Sequence, residues 1–141
     1  MDWDFIQANI LLVVLALVSG GMLLWTFIQG SVGRRINVTD ATLLINRENA
    51  NILDVRESNE YADGHIAAAR NMPVGQLANH LNEIDKWKEK PLILYCNSGV
   101  RASKAAGVLK KHGFASLHVL NNGVSAWKEA GLPLEKGSKR R

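Results

Sequence analysis

Residues 91–101 read Pro91-Leu92-Ile93-Leu94-Tyr95-Cys96-Asn97-Ser98-Gly99-Val100-Arg101. An apolar run of this length ended by a polar Asn-Ser-Gly turn has the signature of a short buried strand. Residues 102–112 follow with Ala105, Ala106 and Leu109 at helical spacing, and Gly113 is placed to stop the helix. The segment is thus a strand, a tight turn and a helix, with Cys96 immediately after the strand. In open α/β sheets, ligands bind outside the carboxyl ends of the strands.

The same alternation extends outward in both directions. On the N-terminal side, residues 36–38 read as a brief strand, Thr39 or Asp40 as the cap of a helix carrying Leu43, Leu44 and Ile45, and residues 51–55 as a buried strand. Residues 57–66 read as a short helix and turn, 69–74 as a short strand broken by Pro73, and 77–87 as an amphipathic helix. On the C-terminal side, residues 116–120 form a fifth strand, turned by Asn121, Asn122 and Gly123 into a last helix with Ala126 and Trp127. Strands and helices alternating at this length predict an α/β fold: a parallel sheet of about five strands with helices on both faces.

The chain has 141 residues, room for one domain. All 17 Lys and Arg fall at or after Arg34, and two of the 13 acids, Asp2 and Asp4, precede it. The basic residues are scattered and not clustered with aromatics, which favours a solvated face over a nucleic-acid surface. From Ile10 to Ile28 there is no charged residue, and a helix of that length spans about 28 Å, close to the ~30 Å of a bilayer core. The expected division is an N-terminal transmembrane anchor and link over 1–33, with the span at about 5–28, a domain over 34–135 and a basic tail over 136–141.

A cleaved signal peptide ending near Ser19, Gly20 and Gly21 is the competing reading. It is disfavoured by Asp2 and Asp4 where a basic region belongs, and by the apolar run continuing through Met22 to Ile28. Arg34 and Arg35 just past the span, with no Lys or Arg before it, put the N-terminus outside and the domain in the cytoplasm. Trp3 and Trp25 fall near the ends of the span, as interfacial indoles do. Lys139, Arg140 and Arg141 form a basic terminus whose ordinary state is solvated.

Cys96 is the only cysteine, so no internal disulfide exists and no C-x-x-C or His spacing offers a metal site. At the start of a helix, unpaired amides and the positive end of the macrodipole converge on the space its sulfur occupies. Gly99 lets the backbone curl and Arg101 adds a fixed cation, or else pairs with a neighbouring carboxylate. This setting favours the thiolate, the nucleophilic form.

Taken in order, Leu53-Asp54-Val55-Arg56, Glu60, Gly64-His65-Ile66, Asn71-Met72-Pro73, Tyr95-Cys96 with Gly99 and Arg101, Gly123 with Trp127, and Gly131-Leu132-Pro133 resemble the rhodanese-like sulfurtransferase family. The resemblance covers nearly all of residues 36–133. Two departures are Ala68, where the family usually has glycine, and Asn122 in place of the first of a glycine pair. The resemblance implies that Cys96 is catalytic. It takes the outer sulfur of thiosulfate or a persulfide as Cys–S–S⁻ and passes it to cyanide or a thiol, in a loop of Asn97, Ser98, Gly99, Val100 and Arg101, without a cofactor.

Asp54 and Arg56 are possible borders of the same pocket, with a fold-fixing ion pair or a helix cap as the alternative. His65 invites a general-base reading, but the resemblance implies a structural turn there; Glu60 is expected at the surface or in a turn, and Trp127 in the core. His80, His112 and His118 are given no role. Cysteine phosphatases and arsenate reductases resemble C-x₅-R, whereas four residues separate Cys96 from Arg101, a smaller cradle suited to sulfur. A different class of function is an interaction module for a membrane protein partner, with the transfer chemistry incidental. The expected partners are therefore a small sulfur donor, a thiol acceptor, membrane lipid through the anchor and a membrane protein, and not nucleic acid.

Overall fold

The computed structural model describes residues 2–28 and 33–138, and the chain divides into two compact units, Met1–Ser31 and Val32–Arg141. Lys139, Arg140 and Arg141 of the expected basic tail lie outside the described residues.

The first unit holds helices α1 (Trp3–Ala8) and α2 (Ile10–Ile28). The single helix expected over 5–28 is interrupted at Asn9. There the backbone leaves helical geometry, and the side-chain amide donates to the Phe5 carbonyl at 2.9 Å. Asparagine competes with the helical backbone in this way because its short amide reaches the preceding turn. α2 bears no charge, and its apolar side chains are exposed, Leu11 by 82%. Among the described residues no helix is long and apolar enough to cross a membrane.

The second unit begins with β1 (Arg34–Ile36), α3 (Val38–Glu48), β2 (Asn51–Asp54), α4 (Ser58–Asp63), β3 (His65–Ile66) and β4 (Arg70–Asn71). Two 3₁₀ segments, Leu77–Asn79 and Leu81–Trp87, lead to β5 (Leu92–Tyr95), α5 (Val100–Lys111), β6 (Leu117–Leu120), α6 (Gly123–Glu129) and β7 (Leu134–Glu135). The main sheet has the expected five strands, ordered β1-β6-β5-β2-β4 and parallel throughout. β3 and β7 form a separate antiparallel pair that the sequence reading missed, since two residues are too few to show periodicity.

β5 is buried along its whole length, and its alternation sorts the two cores. Leu92, Leu94 and Cys96 face α5 and the 3₁₀ segments, while Ile93 and Tyr95 face the core holding Trp127 and Tyr61. Two local expectations change. Asn37 caps α3, accepting from the Asp40 amide at 2.8 Å, so the first strand ends at Ile36. The helix expected over 77–87 is 3₁₀ instead. Buried Leu81 and Ile84 are three residues apart, the spacing that a 3₁₀ turn stacks on one side.

A buried ion pair ties the segment after β2. Arg56 Nη2 meets Asp54 Oδ2 at 2.6 Å and also donates to the Gly64 carbonyl at 2.6 Å. Asn71 Nδ2 donates to the carbonyls of Asp54 and Arg56, the Ile66 amide donates to the Tyr95 phenol, and Tyr61 donates to the Ala69 carbonyl. Burial is the main reason the Tyr95 phenol is pushed far above its ordinary pKa, with the Asp54 charge adding to it. His65 is fully buried, stacked on Tyr61 at 3.7 Å with Nδ1 on the Tyr61 carbonyl. It is a structural histidine.

Ala68 closes the turn between β3 and β4 with φ +67°, a conformation that costs a Cβ-bearing residue about 1–2 kcal/mol. Glycine relieves this but gives back about 0.5–1 kcal/mol of unfolded-chain entropy. Ala68→Gly is therefore expected to raise the urea midpoint of the full chain by the equivalent of about 0.5–1 kcal/mol. A lower midpoint would show that the turn carries no such strain.

Candidate active site

β5 delivers Cys96 to the carboxyl edge of the sheet, and the chain turns at once into α5. Gly99 makes the turn with φ +101°, and its amide donates to Cys96 Sγ at 2.9 Å. The first amides of α5 have no acceptor within their own helix, and its positive end faces the same space. An N–H aimed at sulfur stabilises negative charge there, whether thiolate or persulfide. Cys96 is buried, Asn97, Ser98 and Val100 are exposed, and Val100 caps the rim at 73% exposure. The five loop residues expected around the cysteine are therefore together.

The base of the loop is held from β6–α6. The Val124 amide donates to the Cys96 carbonyl at 3.0 Å. Gly123, at φ +43°, lies so close that a Cβ would overlap that carbonyl. Asn122 before it also has positive φ, which its short polar side chain tolerates.

Arg101 takes the second of the two roles left open for it. It forms a bidentate pair with Glu60, Nη1–Oε1 2.6 Å and Nη2–Oε2 3.0 Å. Asn97 Nδ2 donates to Glu60 Oε2 at 3.0 Å, and the Glu57 amide donates to Oε1 at 3.2 Å. Glu60 is thus the hub of the loop and not a bystander at the surface. The sequence carried only its position in the first turn of α4, because its main partner lies 41 residues away. The hydrogen bonds from Arg101 are the chief cause that lowers the Glu60 carboxyl from 4.5 to about 2.

Asp54 and Arg56, considered as pocket borders, are instead buried at 0% and 4% exposure and occupied with each other and Gly64. Arg56 also lies over the ring of Tyr95, 5.6 Å from its centroid. Away from the loop, a hollow of about 280 Å³ between β1, α3 and β6 is lined by Arg34, Asp40, Arg47, Glu48 and His118 among others. It contains charges of both signs and no nucleophile. Burial lowers the His118 pKa there.

A family model described as the Rhodanese-like domain matches residues 37–130. The chain belongs to the rhodanese-like family. It is 39% identical over 99 residues to the uncharacterized protein YibN of Escherichia coli K12, covering 70% of this chain and 69% of YibN. It is 32% identical over 100 residues to the thiosulfate sulfurtransferase GlpE of Shewanella oneidensis, covering 71% and 91%. The fold matches a crystal structure of a rhodanese-related protein from Thermoplasma volcanium with a TM-score of 0.65 and 28% identity, over 72% of this chain and 97% of that one. Both departures from the rhodanese-like pattern, Ala68 and Asn122, fall where the backbone is left-handed and glycine costs least.

Two outcomes test the assembly of the site. Gly123→Ala forces the Cys96 carbonyl away and is expected to cost about 3 kcal/mol or more in thermal unfolding; a cost under 1 kcal/mol would show that the turn moves freely. Glu60 ionises more readily folded than unfolded. Its contribution is complete above pH 4.5 and is lost as the pH falls through about 2. Glu60→Gln is expected to flatten the acid limb of stability between these values, and an unchanged limb would count against the pair.

Proposed function

We propose that the protein is a sulfurtransferase in which Cys96 carries sulfane sulfur. The observation that carries this reading is the Gly99 amide placed 2.9 Å from Cys96 Sγ in a four-residue loop at the start of α5. The Cys96 thiolate attacks the outer sulfur of thiosulfate. A Cys–S–S⁻ bond forms, the S–S bond of the donor breaks, and sulfite leaves with its electron pair. Cyanide or a thiolate then attacks the outer sulfur, leaving as thiocyanate or a persulfide and restoring the Cys96 thiolate. The loop amides hold the anion in both states. With one cysteine in the chain no internal thiol can resolve the persulfide, so the acceptor is external.

The same proposal places the domain on the cytoplasmic side of an inner membrane, with the N-terminus outside. Support comes from the uncharged 19-residue α2, its exposed apolar side chains, and Arg34 and Arg35 beyond it. A reducing compartment keeps Cys96 as a thiol and supplies acceptors. That exposed apolar helix also favours a second reading, a rhodanese-like module that holds a membrane protein partner.

Intact mass of the full chain after incubation with thiosulfate is expected to rise by about 32 Da, reversibly on reduction, and not in Cys96→Ser. Absence of the gain with thiosulfate and with a small persulfide would favour the interaction module. On alkaline carbonate extraction the full chain is expected in the membrane pellet and a chain lacking residues 2–28 in the supernatant; full-length protein in the supernatant would refute the anchor.

A further inference from the structure

Arg101, the cation nearest the cysteine in sequence, is committed to Glu60 through two hydrogen bonds, so the pair presents little net charge to an incoming anion. A different arginine stands beside the loop. Arg35 leaves β1 on the α5 side of the sheet. Its Nη2 is 3.4 Å from Ser103 Oγ on the first turns of α5, and its Nη1 is 3.5 Å from Asn121 Oδ1 at the end of β6. Nη1 is also 3.4 Å from the position a Cβ would take on Gly99, the residue whose amide meets Cys96 Sγ.

Both partners of Arg35 are neutral and both bonds are long. Among the described residues it has no carboxylate partner, and its side chain is exposed. It therefore bridges the two segments that hold the cysteine loop while keeping its full charge. Its neighbour Arg34 points to the opposite face of β1, into the hollow with Asp40 and Glu48. The two arginines, adjacent in sequence, differ in what they can reach.

We propose that Arg35 selects anionic reagents at Cys96, and that among sulfur donors it favours an anion over a neutral one. Where the donor is named, this rests on the sulfurtransferase reading; the charge preference at Cys96 does not. In a water-like medium any unit charge about 7 Å from a reacting anion is worth about one RT, enough to change the encounter of a monoanion about threefold and of a dianion about sevenfold. Arg35 is a positioning residue and takes no part in bond making.

The test alkylates Cys96 in the full chain with iodoacetate, an anion, and iodoacetamide, its neutral analogue, and takes the ratio of the two rates. Arg35→Gln is expected to lower this ratio about threefold at low salt, Arg35→Glu further, and Arg35→Lys and Arg34→Gln little. The difference should shrink as ionic strength rises. An unchanged ratio in Arg35→Gln, an equal fall in Arg34→Gln, or no reaction of Cys96 with either reagent would overturn the proposal. Loading of sulfur from thiosulfate is followed in parallel, with the half-saturating concentration expected to rise in Arg35→Gln and the maximal rate to hold. If wild type loads no sulfur while the alkylation ratio still falls, the donor assignment fails and Arg35 remains the anion-selecting cation.

Discussion

The site depends on one close approach of backbone to backbone. The Cys96 carbonyl accepts from the Val124 amide, and Gly123 fits beneath it only because it has no side chain. Two strand ends, β5 and β6, are joined there by a contact that leaves no room to slide. With the carbonyl fixed, the chain after Cys96 reaches α5 through a left-handed turn at Gly99, and that turn points an amide at the sulfur. The chemistry of the thiol is a consequence of where its own carbonyl is held.

Charge is distributed around that point by pairing. Asp54 and Arg56 are removed from water and joined to each other, so breaking either partner would strand the other in the interior. Glu60 and Arg101 are partly exposed, at 27% and 33%, and their pair is worth less in stability than in geometry. It fastens α4 to α5 and brings Asn97 to the same carboxylate. Cation–carboxylate pairs thus build the frame, while the sulfur itself is met by a neutral amide.

How much of this could be read in the sequence follows from the range of each interaction. The five parallel strands and the cysteine turn were legible because β5 is a continuous apolar run bounded by proline and a polar turn, and because the helices after it repeat at short range. The structural role of His65 was legible only through the family resemblance, which implies a structural turn at Gly64-His65-Ile66. The hub role of Glu60 was not, since nothing near residue 60 specifies an arginine 41 positions on. The 3₁₀ character of residues 77–87 was hidden because buried Leu77, Leu81 and Ile84 stand at the four- and three-residue spacing of an α-helical face. The interruption at Asn9 was hidden for the opposite reason: one polar residue in a long apolar stretch counts little in any average.

The strand that carries Arg35 is also one of the two edge strands of the sheet. β1 is three residues long, lies at an edge and has a single neighbour, β6. Edge elements of this kind open locally at a free energy well below that of global unfolding. Fraying of β1 would withdraw a cation from the cysteine turn while β5, β6 and α5 kept their places. The cysteine turn and the charge beside it would then part without global unfolding, and the second would be lost while the first endured.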